Sequence, residues 1–488
     1  MRVLLLRPPL EFGAGWDVAA QAEIPLALLY LASSLEKEGH QAAILDGAIQ
    51  NELGRLAPDE RGVLRVGMAW DEFGKEAAAA RPDVVGISSG FYTQMPQALM
   101  AARVVRGVLP NVPIVVGGPP VTVRPEDYLA EPAVTVAVMG EGEQVLPRLA
   151  EALVAGSPLE GIQSIAYREG GKVRVNQRQD YLRELDALSD PAYHLIDIER
   201  YMRVATMGRS GRWSWKPRRA MTILTSRGCP YQCTFCAAHL HMGRAYRTQS
   251  AERVLAHVRF IVTKLGIPHL LFIDDNLAQN VPRFNAILDG LIAMKKEGLP
   301  ITWETPIGMR TDKLTYDVLA KSKQAGCEAI YLTTESGSQR VLDEVVGKHL
   351  NLQSVLDAAA ACKKLGLKAR AGFIMGLPGE KLEDMRMTID FARRLRREYG
   401  IRGHLAVATP IYGTELYNIC ERKGYRKMEM TPDNIARSFT EGGMIETEDW
   451  TIPQMLAMVD EFKLQGSWLH RTVRRMRRGL RKDKKRSL

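Results

Sequence analysis

The amino-acid sequence predicts an α/β protein: a doubly wound, Rossmann-like N-terminal domain, a partial (β/α)6 barrel of TIM type, and a helical C-terminal cap. Three observations lead there. Five short Val/Ile/Leu runs alternate with helical patterns over residues 1–155, six more do so from 221 to about 410, and the remainder reads as helical. Continuous apolar strands separated by amphipathic helices belong to parallel sheets covered on both faces. At 488 residues, 46% hydrophobic and 25% charged, the chain has the length of roughly three domains and an ordinary globular composition.

In the first domain, residues 1–155, the expected strands are 3–6, 42–45, 84–88, 114–117 and 134–139, with helices such as 94–109 between them. Doubly wound sheets bind ligands beyond the carboxyl ends of their strands. The residues placed there are Ser88-Ser89-Gly90, Gly117-Gly118-Pro119-Pro120 and Gly140-Glu141-Gly142-Glu143. Glycine at these points lets a flat, bulky ligand approach the backbone, although tight strand-to-helix turns call for glycine as well.

Residues 156–220 read as a linker with a hairpin around Gly170-Gly171, joining 164–168 to 172–175. Trp213, Trp215, Lys216, Arg218 and Arg219 at its end either touch substrate or, as is commoner, pack against a domain edge. The barrel spans 221–415, with strands expected at 222–225, 270–273, 302–306, 329–333, 370–374 and 404–408. Barrel sites lie at the carboxyl ends of strands. Those ends carry Asp274, Asp275, Glu304, Arg310, the run Thr334-Glu335-Ser336-Gly337, and a glycine-rich segment from Gly372 through Gly376 to Glu380. Such groups are costly to bury alone, so they serve either a ligand or interstrand ion pairs.

Residues 416–488 form the helical cap, with Pro453 opening a stripe of Met455, Val459 and Phe462 that closes the barrel's lower opening or a substrate cavity. The formal net charge of +10 belongs to the end of this region: residues 471–488 carry +9 and residues 1–470 only +1. Leu469, Val473, Met476 and Leu480 share one helical stripe there, which suits either a helix on an anionic membrane surface or a solvated, frayed terminus. A body so nearly neutral gives no reason to expect nucleic acid. The run at Met1–Arg7 is too short for a signal peptide, and no apolar stretch reaches bilayer length.

The most informative residues come just after the first barrel strand: Cys229-Pro230-Tyr231-Gln232-Cys233-Thr234-Phe235-Cys236. Three thiolates at this spacing hold three irons of a cubane and leave the fourth open. The competing reading is structural zinc, which prefers four ligands in two short-spaced pairs. No second cysteine pair exists, and only His239 and His241 stand near enough to complete such a set. The three remaining cysteines, Cys327, Cys362 and Cys420, are scattered, which is no disulfide framework and places the chain in a reducing compartment, the cytoplasm. Cys362 falls on the stripe Val355, Ala358, Ala359, Cys362, Leu365 and reads as core filler.

The loop resembles the C-x3-C-x2-C signature of the radical S-adenosylmethionine (SAM) superfamily, with the aromatic Phe235 before the last cysteine. The resemblance implies a 4Fe-4S cluster on Cys229, Cys233 and Cys236, an open iron that chelates SAM, and Phe235 near the adenine. It further implies Asp274 or Asp275 at the SAM amino group, Glu335 and Ser336 at ribose or carboxylate, Arg310 at the carboxylate, and Gly376 beside the adenine. An external electron donor of flavodoxin or ferredoxin type is implied by the same chemistry.

A doubly wound domain directly before such a loop is similar to the cobalamin-binding domain of the B12-dependent radical SAM enzymes, which implies that Ser88, Ser89, Gly117, Gly118, Gly140 and Glu141 contact cobalamin. The D-x-H-x-x-G loop of many B12 proteins is absent, since Asp46-Gly-Ala-Ile-Gln-Asn51 holds no histidine. The cobalt would then lack a protein imidazole below it. The domain order resembles the class B radical SAM methyltransferases and implies methylation of an unactivated carbon of a small-molecule substrate. It also resembles the anaerobic magnesium-protoporphyrin oxidative cyclase, implying a ring-forming alternative. A non-catalytic cobalamin or SAM sensor has no need of an open iron site. The methylthiotransferases use additional N-terminal cysteines, and none precedes Cys229.

Overall fold

The computed structural model describes residues 1–13, 23–49, 63–177, 181–207 and 218–464. Trp213, Trp215, Lys216 and the basic segment 471–488 lie outside the described residues.

The first sheet has seven strands: β1 (Arg2–Arg7), β3 (Gln41–Asp46), β5 (Val84–Ser88), β6 (Ile114–Gly117), β7 (Val136–Val138), β8 (Ile165–Glu169) and β9 (Lys172–Val175), in the order β3-β1-β5-β6-β7-β8-β9. The first five are parallel, because helical crossovers join them. β1 and β5 to β7 are almost wholly apolar and packed between helices on both faces. The chain moves outward from β1 to β3, then returns past β1 to β5. The strand order therefore reverses between β1 and β5, and a crevice opens at their carboxyl ends. The glycine-turn hairpin β8–β9 joins this sheet, β8 pairing antiparallel with β7. A separate ribbon pairs β2 (Leu10–Gly13) with β4 (Val63–Val66).

The second sheet contains β10 (Met221–Ile223), β13 (His269–Phe272), β14 (Thr302–Met309), β15 (Cys327–Glu335), β16 (Lys368–Met375) and β17 (Arg402–Val407), paired in that order. All neighbours are parallel, and β17 does not return to β10. The expected six-stranded partial barrel is what forms. Between β10 and β13 an antiparallel ribbon, β11 (Ser226–Arg227) with β12 (Arg247–Thr248), brackets the cysteine loop.

Helices Glu415–Lys423, Pro432–Glu441 and Ile452–Lys463 come after the last strand. In the third, Thr451 and Gln454 form a capping box around Pro453, and Met455, Val459 and Phe462 are the buried stripe. Its placement differs from the first of the two expectations for it, a plug in the barrel's lower opening. Phe462 packs on Phe373 at a ring separation of 5.5 Å, so the helix covers the outside of the last two strands. Cys362 is buried in the core, as its stripe predicts.

Candidate functional site

The cysteine loop begins with Gly228, at φ +83°, where a side chain would collide with the carbonyl of Ala245. Backbone bonds from three directions hold the loop in place. Cys229 N–H donates to Gly243 O at 3.3 Å, Thr234 N–H to Val346 O at 3.0 Å, and Leu416 N–H to Thr234 O at 2.8 Å. Burial raises all three thiols above their ordinary range, Cys236 to about 12. One loop thus presents all three thiols, an arrangement that suits a cubane, in which each thiolate binds a different iron.

Around the loop stand the polar groups expected at the strand ends. Arg310 lays its guanidinium over the ring of Tyr231 in the loop, 3.6 Å from the centroid, and donates to Lys348 O at 3.0 Å and to Asp312. Glu335 ends β15 at a bulge with φ +70°, and its carboxylate meets buried Lys348 Nζ at 2.8 Å. Lys348 and Tyr231 escaped the sequence reading, since nothing in the local pattern marks either.

The two neighbouring aspartates differ. Asp274 Oδ1 accepts from Thr225 N–H at 3.1 Å, from its hydroxyl at 2.8 Å and from Ser226 Oγ, tying the ends of β10 and β13 together; its Oδ2 is buried and has no partner among the described residues. Asp275 remains open to solvent on one side; protein crowding on the others, and then the Asp274 charge, raise its carboxyl to about 6. Ser336 is fully buried and bonded to Thr388 at 3.1 Å, which makes it a brace rather than a surface group. Gly376, at φ +89°, lies at the end of β16, its N–H held by Glu380 at 2.7 Å. Phe235 is half-buried against the barrel core.

At the carboxyl ends of the first sheet lies a cavity of about 330 Å³, predominantly apolar in lining. Leu5, Gly86, Ser88, Gly117, Val138 and Gly140 form its floor, and Leu28, Leu31 and Leu146 one wall. The opposite side comes from the barrel: Leu224, Arg227, His241, Met242 and Ile273, all close to the cysteine loop in sequence or at the ends of barrel strands. Of the six residues expected here, Ser88, Gly117, Gly118, Gly140 and Glu141 line the cavity. Ser89 does not: its hydroxyl is 2.7 Å from that of Tyr128, both buried.

The two adjacent glycines act differently. A side chain on Gly118, at φ +126°, would strike Ser89 O, so the turn itself requires glycine. At Gly117 the nearest atoms to an added methyl, Val138 Cβ and O, are 3.9 Å away, an ordinary contact distance, so the backbone itself does not require glycine there. Glu141 commits its carboxylate to the barrel, accepting from Arg227 at 3.0 Å and from Arg247 at 2.8 Å. Asp46, where a cobalt-binding loop would start, is buried between Arg7 at 2.6 Å and the Tyr201 hydroxyl at 2.6 Å.

Known families match both halves. Residues 16–150 match the B12 binding domain and residues 223–392 the Radical SAM superfamily. An uncharacterized methyltransferase of Pyrococcus horikoshii, PH0819, is 33% identical over 418 residues, 86% of this chain and 82% of the relative. The cytidylyl-2-hydroxyethylphosphonate methyltransferase of Streptomyces wedmorensis is 28% identical over 436 residues, 82% of this chain and 78% of that one. Among solved structures, the radical SAM methyltransferase TsrM from Kitasatospora setae, with tryptophan and a SAM analogue bound, superposes with a TM-score of 0.70 at 17% identity, covering 96% of this chain and 89% of that one. That likeness speaks for the fold.

The class these findings define is a B12-binding domain joined to a radical SAM barrel. The chain belongs to the cobalamin-dependent radical SAM family, on its methyltransferase side, and its cofactors are a 4Fe-4S cluster, SAM and cobalamin. Among the described residues no helix is long and apolar enough to cross a membrane.

Proposed function

We propose that this enzyme methylates an unactivated carbon of a small-molecule substrate, held where the carboxyl ends of the two sheets meet. The observation that carries this reading is the apposition itself: the apolar cavity at the end of the first sheet is closed by barrel residues that adjoin the cysteine loop.

The residues suit the three groups. Cys229, Cys233 and Cys236 would each bind one iron. Arg310 and Lys348 offer cations, and Glu335 and Asp275 carboxylates, to the carboxylate and amino ends of SAM, with Phe235 and Gly376 toward its adenine. Ser88, Gly117, Gly118 and Gly140, all of which line the cavity, would frame cobalamin, and the glycines among them let a flat macrocycle approach the backbone. When bound, the reduced cluster cleaves SAM to a hydrogen-abstracting radical and cobalamin supplies the methyl group. The chain's own contribution would be to hold these groups at fixed separation and to exclude water, a role the mostly apolar lining supports. An external one-electron donor completes the system.

The test is anaerobically reconstituted enzyme incubated with methyl-labelled SAM, a reductant and a small-molecule extract. The expected result is 5′-deoxyadenosine together with label in a new compound. Deoxyadenosine without labelled product would move the reading to oxidative ring formation. Release of neither would remove it.

A further inference from the structure

In the ribbon that brackets the cysteine loop, Arg227 on β11 faces Arg247 on β12. Like charges directly opposite on paired strands repel. Here both side chains are also buried, at 6% and 7% exposure, so water does not screen them. The neutralising charge comes from the other domain. Glu141, in the turn after β7, bridges the pair, accepting from Arg227 at 3.0 Å and Arg247 at 2.8 Å, and Glu143 accepts from Arg227 at 2.5 Å. Burial by itself would lift the Glu143 carboxyl, but the Arg227 charge and hydrogen bond outweigh it and hold the group below the usual range. Arg247 adds bonds to Leu182 O and Met242 O, both at 2.7 Å.

Two facts make this more than an interface contact. Glu141, Glu143 and Arg227 themselves wall the cavity assigned to cobalamin. Arg227 also stands two residues before Cys229, whose N–H is bonded to Gly243 O, and the intervening Gly228 has no room for a side chain, which would collide with Ala245 O. A shift of the turn after β7 is thus carried to the first thiol of the loop.

We propose that Arg227 is a positioning residue: clamped by Glu141 and Glu143, it sets the separation between the corrin site and the cluster site. The inference rests on the reading above that both groups bind at these places. Its test is full-length enzyme loaded with cluster and cobalamin, reduced so that the cluster and cobalt(II) each carry an unpaired spin. In the unaltered protein the magnetic coupling between the two spins has one narrow value. Glu143→Gln and Arg227→Lys are expected to keep wild-type iron and corrin content while the coupling spreads and weakens. Arg259→Ala, which breaks only the exposed pair with Glu297, should leave it unchanged. Should Glu143→Gln lose iron or corrin, Glu143→Asp, which keeps the charge at shorter reach, takes its place with the same expectation. Coupling identical to wild type in the loaded variants overturns the proposal. Absence of either spin signal from the loaded wild type overturns the proposed function instead.

Discussion

At the scale of single residues, the three thiols and one buried acid give the sharpest tests. Cys229→Ala, Cys233→Ala and Cys236→Ala are each expected to lose the brown colour of the reconstituted protein and to reduce deoxyadenosine release to background, read by iron analysis and chromatography. Cys362→Ala should retain both, because that sulfur only fills the core. Glu380 supplies a pH test. Burial raises its carboxyl to about 8, only partly offset by the backbone N–H groups of Gly376 and Leu377. In the folded chain it keeps its proton until about pH 8, whereas unfolded it ionises at about pH 4.3. Between these values the folded chain binds more protons, so rising pH favours unfolding, by up to about 1.4 kcal/mol per pH unit from this group. In Glu380→Gln that contribution is gone, and the melting temperature of the wild type should fall relative to the variant from about pH 5 to about pH 8. Parallel curves would show that Glu380 is charged in the native protein.

At the scale of elements, the strand-end turns separate residues that make the fold from residues that leave room for a ligand. Gly118→Ala forces a methyl against Ser89 O in a left-handed turn and should cost about 2–4 kcal/mol, seen as a lower melting temperature. Gly117, where a methyl would meet only ordinary contacts and which lines the cavity, behaves differently: for Gly117→Ala the expected outcome is a near-normal melting temperature with weaker retention of cobalamin in the visible spectrum. The sequence pattern identified both glycines but could not divide them, since the difference is the position of Ser89, 29 residues earlier in sequence. The strands themselves were legible, because apolar runs between amphipathic helices have few other homes. Less so were the details at their ends. β14 runs three residues past its expected limit, and β15 turns left-handed at a bulge on Glu335. Both depend on neighbouring strands, and on Lys348 arriving from a later loop.

At the scale of the whole molecule, the two domains are joined by Ile24, Leu29 and Ile49 of the first domain, which belong to the barrel's apolar core, and by buried charges. Removing one partner of such a set strands the others away from water. Arg247→Ala is therefore expected to destabilise the protein by about 3 kcal/mol, measured by denaturant unfolding, far more than loss of an exposed pair such as Arg259–Glu297. The sequence by itself determined the order of the domains, the periodicities of their strands and helices, and the trio of thiols, because each is written in neighbouring residues. Only the tertiary structure decided what Glu141 does. From the sequence it belonged with the cobalamin turn, yet its carboxylate crosses to Arg227, 86 residues away. An ion pair leaves no periodic trace in either segment, and its partners are chosen by which surfaces the two folded domains bring within a few ångströms of each other.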